Sequence, residues 1–167
     1  MNDIGQTTGK KSSKDRVREA ARALGLDIEI VTMPASTRTA EDAAIACGCQ
    51  VAQIVKSLIF QRHDSQALVL LLIAGHNRAD LDLAAKVIGS PLERADAKRV
   101  RAETGFAIGG VAPIGHLCAM QVYIDPDLLD FEIVWAAAGA PNAVFKVAPA
   151  ALMEGTGALL LKDRQSP

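Results

Sequence analysis

Ile54-Val55-Lys56-Ser57-Leu58-Ile59-Phe60-Gln61 and Ala67-Leu68-Val69-Leu70-Leu71-Leu72-Ile73-Ala74 are two apolar runs joined by the polar Arg62-His63-Asp64-Ser65-Gln66. Each run has strand length, and a short polar connector between two such runs closes a hairpin. Adjacent antiparallel strands argue against a doubly wound parallel sheet, whose strands need long crossovers, so the sheet is expected to be mixed. Upstream, Ser12 or Ser13 can cap a helix to about Leu24, with Val17, Ala20, Ala21 and Leu24 at helical spacing and Gly25 as its left-handed end. Asp27 to Val31 reads as a strand and Pro34 to Arg38 as a loop. Thr39 caps a helix over Ala40 to Cys47, which Gly48 stops.

Downstream, Gly75-His76-Asn77 ends the second strand. Asp80 to Ile88 and Asp96 to Thr104 read as helices closed by Gly89 and Gly105. Phe106 to Gly115 is too rich in Gly and Pro to be a strand throughout. Met120 to Ile124 and Phe131 to Ala136 are expected strands around an Asp125-Pro126 helical turn. Ala143 to Val147 is a further strand, and Pro149 to Met153 begins a last short helix. About six strands interleaved with four or five helices define an α/β protein with a central mixed β-sheet and flanking helices.

At 167 residues and 50% hydrophobic, the chain suits one domain with a real core. A frayed arm over Met1 to Lys11 leaves residues 12–163 as that domain. A net charge of −1 excludes a generally basic nucleic-acid coat. With 4% aromatics there are too few rings to stack single strands in bulk, so any nucleic-acid contact should be local, at one end of a strand. Ala67 to Ala74 falls far short of the roughly 18 apolar residues of a membrane span, so no membrane association is expected. A polar start without a signal-peptide core, and three cysteines that make no disulfide framework, lead to the expectation of a cytoplasmic protein.

Lys56 is the first candidate for chemistry. Strand alternation puts it on the face of Ile54, Leu58 and Phe60, where a cation either snorkels out at a solvated rim or meets an anion or carbonyl in a pocket. The second is Phe106-Ala107-Ile108-Gly109-Gly110-Val111-Ala112-Pro113-Ile114-Gly115-His116. Paired glycines let backbone approach a ligand and aim N–H groups at one acceptor, and Pro113 stiffens the exit; on composition alone it is also an ordinary turn. It is neither a Walker loop nor a dinucleotide fingerprint. Cys47-Gly48-Cys49 lacks the spacing of a zinc or thioredoxin motif, so buried small hydrophobes are the expected role for all three cysteines, and no metal is expected. His63, His76 and His116 are scattered, and His116 alone flanks the glycine loop. Arg16, Arg18 and Arg22, and Lys98, Arg99 and Arg101, form two local basic groups on helices, expected as solvated faces with phosphate contact as the alternative. No catalytic triad or GxSxG elbow is present.

Four blocks in register resemble the YbaK/prolyl-tRNA editing family: Ser36-Thr37-Arg38-Thr39-Ala40-Glu41-Asp42-Ala43-Ala44, Gln53 to Phe60, Thr104 to Gly115, and Val122-Tyr123-Ile124-Asp125. The likeness spans about Ser12 to Lys162 and is to the free-standing bacterial members that act in trans. It implies hydrolysis, without a cofactor, of the ester linking a wrong amino acid to proline tRNA, an error that arises because size alone cannot exclude small residues from a proline pocket. By that resemblance Lys56, Gly109, Gly110 and Pro113 form the catalytic group, with Lys56 near the terminal adenosine and the loop backbone on the acyl carbonyl. Met33, Thr39, Val111, Ala112, His116, Asp125, Ala137 and Gly139 are the implied substrate-binding residues. No side-chain nucleophile is needed, since a ribose hydroxyl of the substrate or a water can attack.

Departures from the cysteine-specific members define a further expectation. Their Val-Ser-Gly-Gly stretch reads Ala136-Ala137-Ala138-Gly139 here, their serine before the loop proline is Ala112, and their acidic residue falls near Val144. A less polar pocket should prefer alanine or 2-aminobutyrate to cysteine or serine. The alternative from another class is a non-catalytic binder of the acylated tRNA end or of an amino-acid analogue. Near-neutral charge implies weak intrinsic tRNA affinity, so prolyl-tRNA synthetase or an elongation factor is an expected partner.

Overall fold

The structure is a computed structural model that describes residues 10–35 and 37–163. Most of the expected N-terminal arm, together with Ser36 of the first family block, lies outside the described residues. Lys11, the last residue of that arm, forms an exposed ion pair with Glu19 of the first helix at 2.8 Å.

Helix ends follow the capping chemistry written in the sequence. The side chains of Ser12, Thr39, Asp80 and Asp96 accept the backbone N–H of Asp15, Asp42, Leu83 and Arg99 at 3.0–3.2 Å. They start α1 (Ser13–Ala23), α2 (Ala40–Cys47), α3 (Leu81–Ile88) and α4 (Ala97–Thr104). Pro149 opens α5 (Pro149–Thr156) from its first turn, where a missing N–H is no loss.

The strands are β1 (Ile30–Thr32), β2 (Ile54–Arg62), β3 (Leu68–Ala74), β4 (Leu92–Arg94), β5 (Gln121–Ile124), β6 (Val134–Ala137), β7 (Ala143–Val147) and β8 (Leu159–Leu160). They form one mixed sheet in the order β1-β7-β6-β2-β3-β5-β8, with β4 paired to β2. The β2–β3 hairpin is antiparallel, whereas β2–β6, β3–β5 and β5–β8 are parallel. The expectation of about six strands omitted β4 and β8, which at three and two residues are too short to show a period. Strand β6 starts at Val134, later than expected, because the Phe131 N–H still closes the preceding 3-10 turn, Pro126–Asp130, on Leu128.

Buried on both faces, β3 separates two cores. Leu70, Leu72 and Ala74 join α1, α5 and Phe106 on one side, while Val69, Leu71 and Ile73 join α3 on the other. No helix among the described residues is long and apolar enough to cross a membrane.

Candidate active site

The other strand of the hairpin is incompletely covered. Opposite β3, its free edge pairs with β6 at Ile54 and Val55 and with β4 from Phe60 to Arg62. Between those pairings, Lys56, Ser57, Leu58 and Ile59 have no strand partner on that edge among the described residues. Alternate residues of an antiparallel strand direct N–H and C=O away from the partner, so this segment offers bare backbone donors and acceptors. All four residues line a cleft of about 580 Å³, closed by the start of α2, the β6–β7 ribbon and the glycine loop.

Lys56 is half-buried in this cleft, and its Nζ donates to the carbonyl oxygen of Asn77. The turn that carries this acceptor is pinned. Asn77 Nδ2 donates to Asp125 Oδ2 at 2.9 Å and to Asp127 Oδ2 at 2.7 Å. Asp125 is buried and also accepts the N–H of Ala74 at 3.1 Å and of Asp127 at 3.0 Å. A Cβ on Gly75 would lie 2.2 Å from the Val51 carbonyl oxygen, so only glycine lets the turn pack here. Asp125, expected at the substrate, therefore does not line the cleft; it holds the loop that holds Lys56. Ser57 Oγ is buried in the cleft wall with no hydrogen-bond partner among the described residues.

Across the cleft, Gly109 sits at φ +96°, a backbone state that suits glycine, and it is exposed at the loop tip. Val111 lines the cleft beside it. Gly110 does not supply the donor expected of it, because its N–H is committed to the Ala107 carbonyl at 3.0 Å. Ala112 and Pro113 are buried beneath the loop and do not reach the cleft lining. The loop is clamped from α1: Arg16 donates to the carbonyls of Gly105 at 2.6 Å and Gly115 at 3.4 Å, and its guanidinium lies 5.0 Å from the Phe106 ring centroid. Arg16 was expected on a solvated basic face; it is a part-buried fastener of the loop.

His116 also lies behind the loop, edge-on to Phe106 at 5.2 Å and 89°. Burial, reinforced by the Arg16 charge and only partly opposed by a hydrogen bond with the Ala112 backbone, pushes its pKa down to about 4. Neutral and outside the cleft lining, it packs behind the loop with its Nε2 buried and without a hydrogen-bond partner among the described residues.

Of the remaining candidates, Thr39 and Ala137 line the cleft and Met33 and Gly139 do not. Thr39 Oγ1 is occupied as the cap of α2. Ala137 is paired with Val144, so two small apolar side chains stand side by side on that wall. Met33 is engaged through its backbone, its N–H bonded to the Asn142 carbonyl at 2.7 Å. Gly139 is a packing glycine: at φ +90°, a Cβ there would come 2.9 Å from Ser13 Cβ. Burial raises the pKa of all three cysteine thiols, Cys47 to about 11, so none is a ready thiolate. Arg38 and Arg94, which no local sequence pattern marks as site residues, both line the cleft. Arg94 was hidden because β4 was hidden.

Residues 34–154 match the aminoacyl-tRNA editing domain family. The chain belongs to that family. As an editing domain it has aminoacyl-tRNA as its class of substrate. It is similar to a solved structure described as a "putative trans-editing enzyme for prolyl tRNA synthetase", at 45% identity and TM-score 0.84 over 90% of this chain and 96% of the other. It is 30% identical to the uncharacterized protein YwhH of Bacillus subtilis (strain 168), over 75% of this chain and 80% of that protein. It is 27% identical to the "Putative Cys-tRNA(Pro)/Cys-tRNA(Cys) deacylase EbsC" of Enterococcus faecalis (strain ATCC 700802 / V583), over 71% of this chain and 72% of that protein. The fold is that of the YbaK-type trans-editing proteins.

Proposed function

We propose that the protein is a trans-editing hydrolase that removes a small aliphatic amino acid, alanine or 2-aminobutyrate, from mischarged proline tRNA. One observation carries this reading: Lys56 and Gly109 line the same cleft, whose other walls include Ala40, Ala43, Ala137 and Val144 and no carboxylate. An ester hydrolase without a side-chain nucleophile needs an activated oxygen supplied by substrate or solvent and groups that receive the charge developing on the acyl oxygen. The attacking oxygen, from water or with help from the vicinal ribose hydroxyl, adds to the acyl carbon. The tetrahedral oxyanion then collapses, the bond to the ribose oxygen breaks, and that oxygen leaves with a proton. Lys56, one N–H held by the Asn77 carbonyl, presents its remaining donors to the acylated adenosine. The N–H groups of Gly109 and Val111, with no intramolecular acceptor among the described residues, are the loop donors in this scheme.

The amino-acid preference follows from what Ala137 and Val144 lack. A hydroxyl or thiol finds no polar side chain on that wall, whereas a methyl or ethyl group packs against it. Discrimination is modest, because one methylene is worth about 1–3 kcal/mol in an apolar pocket. The test is deacylation of proline tRNA charged with alanine, 2-aminobutyrate, serine or cysteine. The expected order puts both aliphatic forms ahead. Fastest release of cysteine overturns the specificity, and tight binding with no release of any amino acid overturns the hydrolase in favour of a binder.

A further inference from the structure

We infer that Arg38 and Arg94 form a second binding element of the cleft, a pair of guanidinium groups that hold the backbone phosphates of the RNA strand leading to the acylated adenosine. The inference rests on the editing reading above and adds to it how the nucleic acid is held.

The charge distribution is the starting point. The whole chain carries a net charge of −1, yet the charged residues lining the cleft are Arg38, Lys56 and Arg94, with no Asp or Glu among them. Gathered without a carboxylate on the walls of one cleft, the three cations make a local positive field that favours a polyanion. Elsewhere Arg18, Arg62 and Arg99 are paired with Asp15, Asp64 and Glu103, while Arg22, Arg78 and Arg101 stand singly outside the cleft without a side-chain partner among the described residues. Arg38 and Arg94 are exposed and make no ion pair or side-chain hydrogen bond among the described residues. Their forks are free for bidentate contact with phosphate.

Both are carried on anchored backbone. The loop bearing Arg38 is fastened by Thr37, whose N–H and Oγ1 both donate to the Pro141 carbonyl, at 2.9 and 2.7 Å. Arg94 is the last residue of β4 and lies opposite Phe60 in the pairing with β2. At a rise of about 3.3 Å per residue, Phe60 lies about 13 Å along β2 from Lys56. That span suits a terminal nucleoside at Lys56 with the phosphates behind it at the rim.

The probe is a short single-stranded RNA ending in cytidine-cytidine-adenosine, unacylated, with its affinity measured over a series of salt concentrations. The prediction is that Arg38→Gln and Arg94→Gln each weaken binding by on the order of tenfold and each reduce the slope of log K against log salt by about 0.7. Arg22→Gln, on α1 and outside the cleft, leaves both unchanged. Wild-type protein that fails to bind the RNA, or cleft variants that keep the wild-type slope, or a loss confined to Arg22→Gln, overturns the inference. Because the probe carries no ester, this result is separate from the hydrolase test: arginine-dependent RNA binding without deacylation would keep this inference and remove the proposed reaction.

Discussion

β2 and β3 are partners in one hairpin and similar in sequence, yet the fold uses them in opposite ways. Strand β3 is buried along its whole length and bonded through β2 and β5 on its two edges. Strand β2 is half-exposed from Lys56 onward, and the short β6 and β4 leave a window in its outer edge. One strand holds the two cores together. The other places unpaired backbone, Lys56 and an unpartnered Ser57 hydroxyl in a cleft. The proposed site lies where pairing stops, because there polar groups that a sheet would satisfy internally stay available to a ligand.

Substitutions on the two strands should therefore separate stability from activity. Leu70→Ala empties a fully buried position in β3 and should cost about 2–5 kcal/mol in urea unfolding. Lys56→Ala should leave the unfolding midpoint near wild type and lower deacylation by about 10²–10³-fold, as loss of a transition-state contact does. A Lys56→Ala protein with undiminished turnover would break the comparison at its centre. The Asn77 amide offers a finer cut. Asn77→Ala keeps the carbonyl that Lys56 donates to and removes the bonds to Asp125 and Asp127 that fix it. Steady-state kinetics should show kcat down about tenfold with KM little changed, as for a positioning residue.

The region behind the glycine loop gives a pH signature of its own. His116 titrates near its usual 6.5 when unfolded and at about 4 when folded, so the unfolded chain binds the proton first as pH falls. Its contribution is fully present above about pH 6.5 and is lost progressively down to about pH 4, by up to about 3 kcal/mol. Urea midpoints across that window should fall for the wild type and flatten for His116→Gln. The smallest expected effect is at Thr39, where loss of the α2 cap in Thr39→Ala should cost about 1 kcal/mol.

Capping residues and hydrophobic runs are local signals, so α1 to α4, the β2–β3 hairpin and the irregular Gly/Pro loop were legible in the order of amino acids. So was the oddity of Lys56, a charge inside an apolar run. Several site assignments were not. Gly110, Asp125, His116 and Gly139 sit in the right neighbourhood but face inward, because which side of a loop meets solvent depends on what packs behind it. Arg16, far from the loop in sequence, turned out to be its fastener, and Arg94 entered the cleft on a strand of three residues.

What the sequence determined by itself was the mixed α/β class, the family blocks and the one cation worth following, all of which depend on residues near one another in the chain. Only the tertiary structure decided that β4 and β6 stop short of each other, and that gap makes the cleft. Strand pairing is a contest among distant segments for the same row of backbone hydrogen bonds, and its outcome is fixed by the packing of the whole sheet.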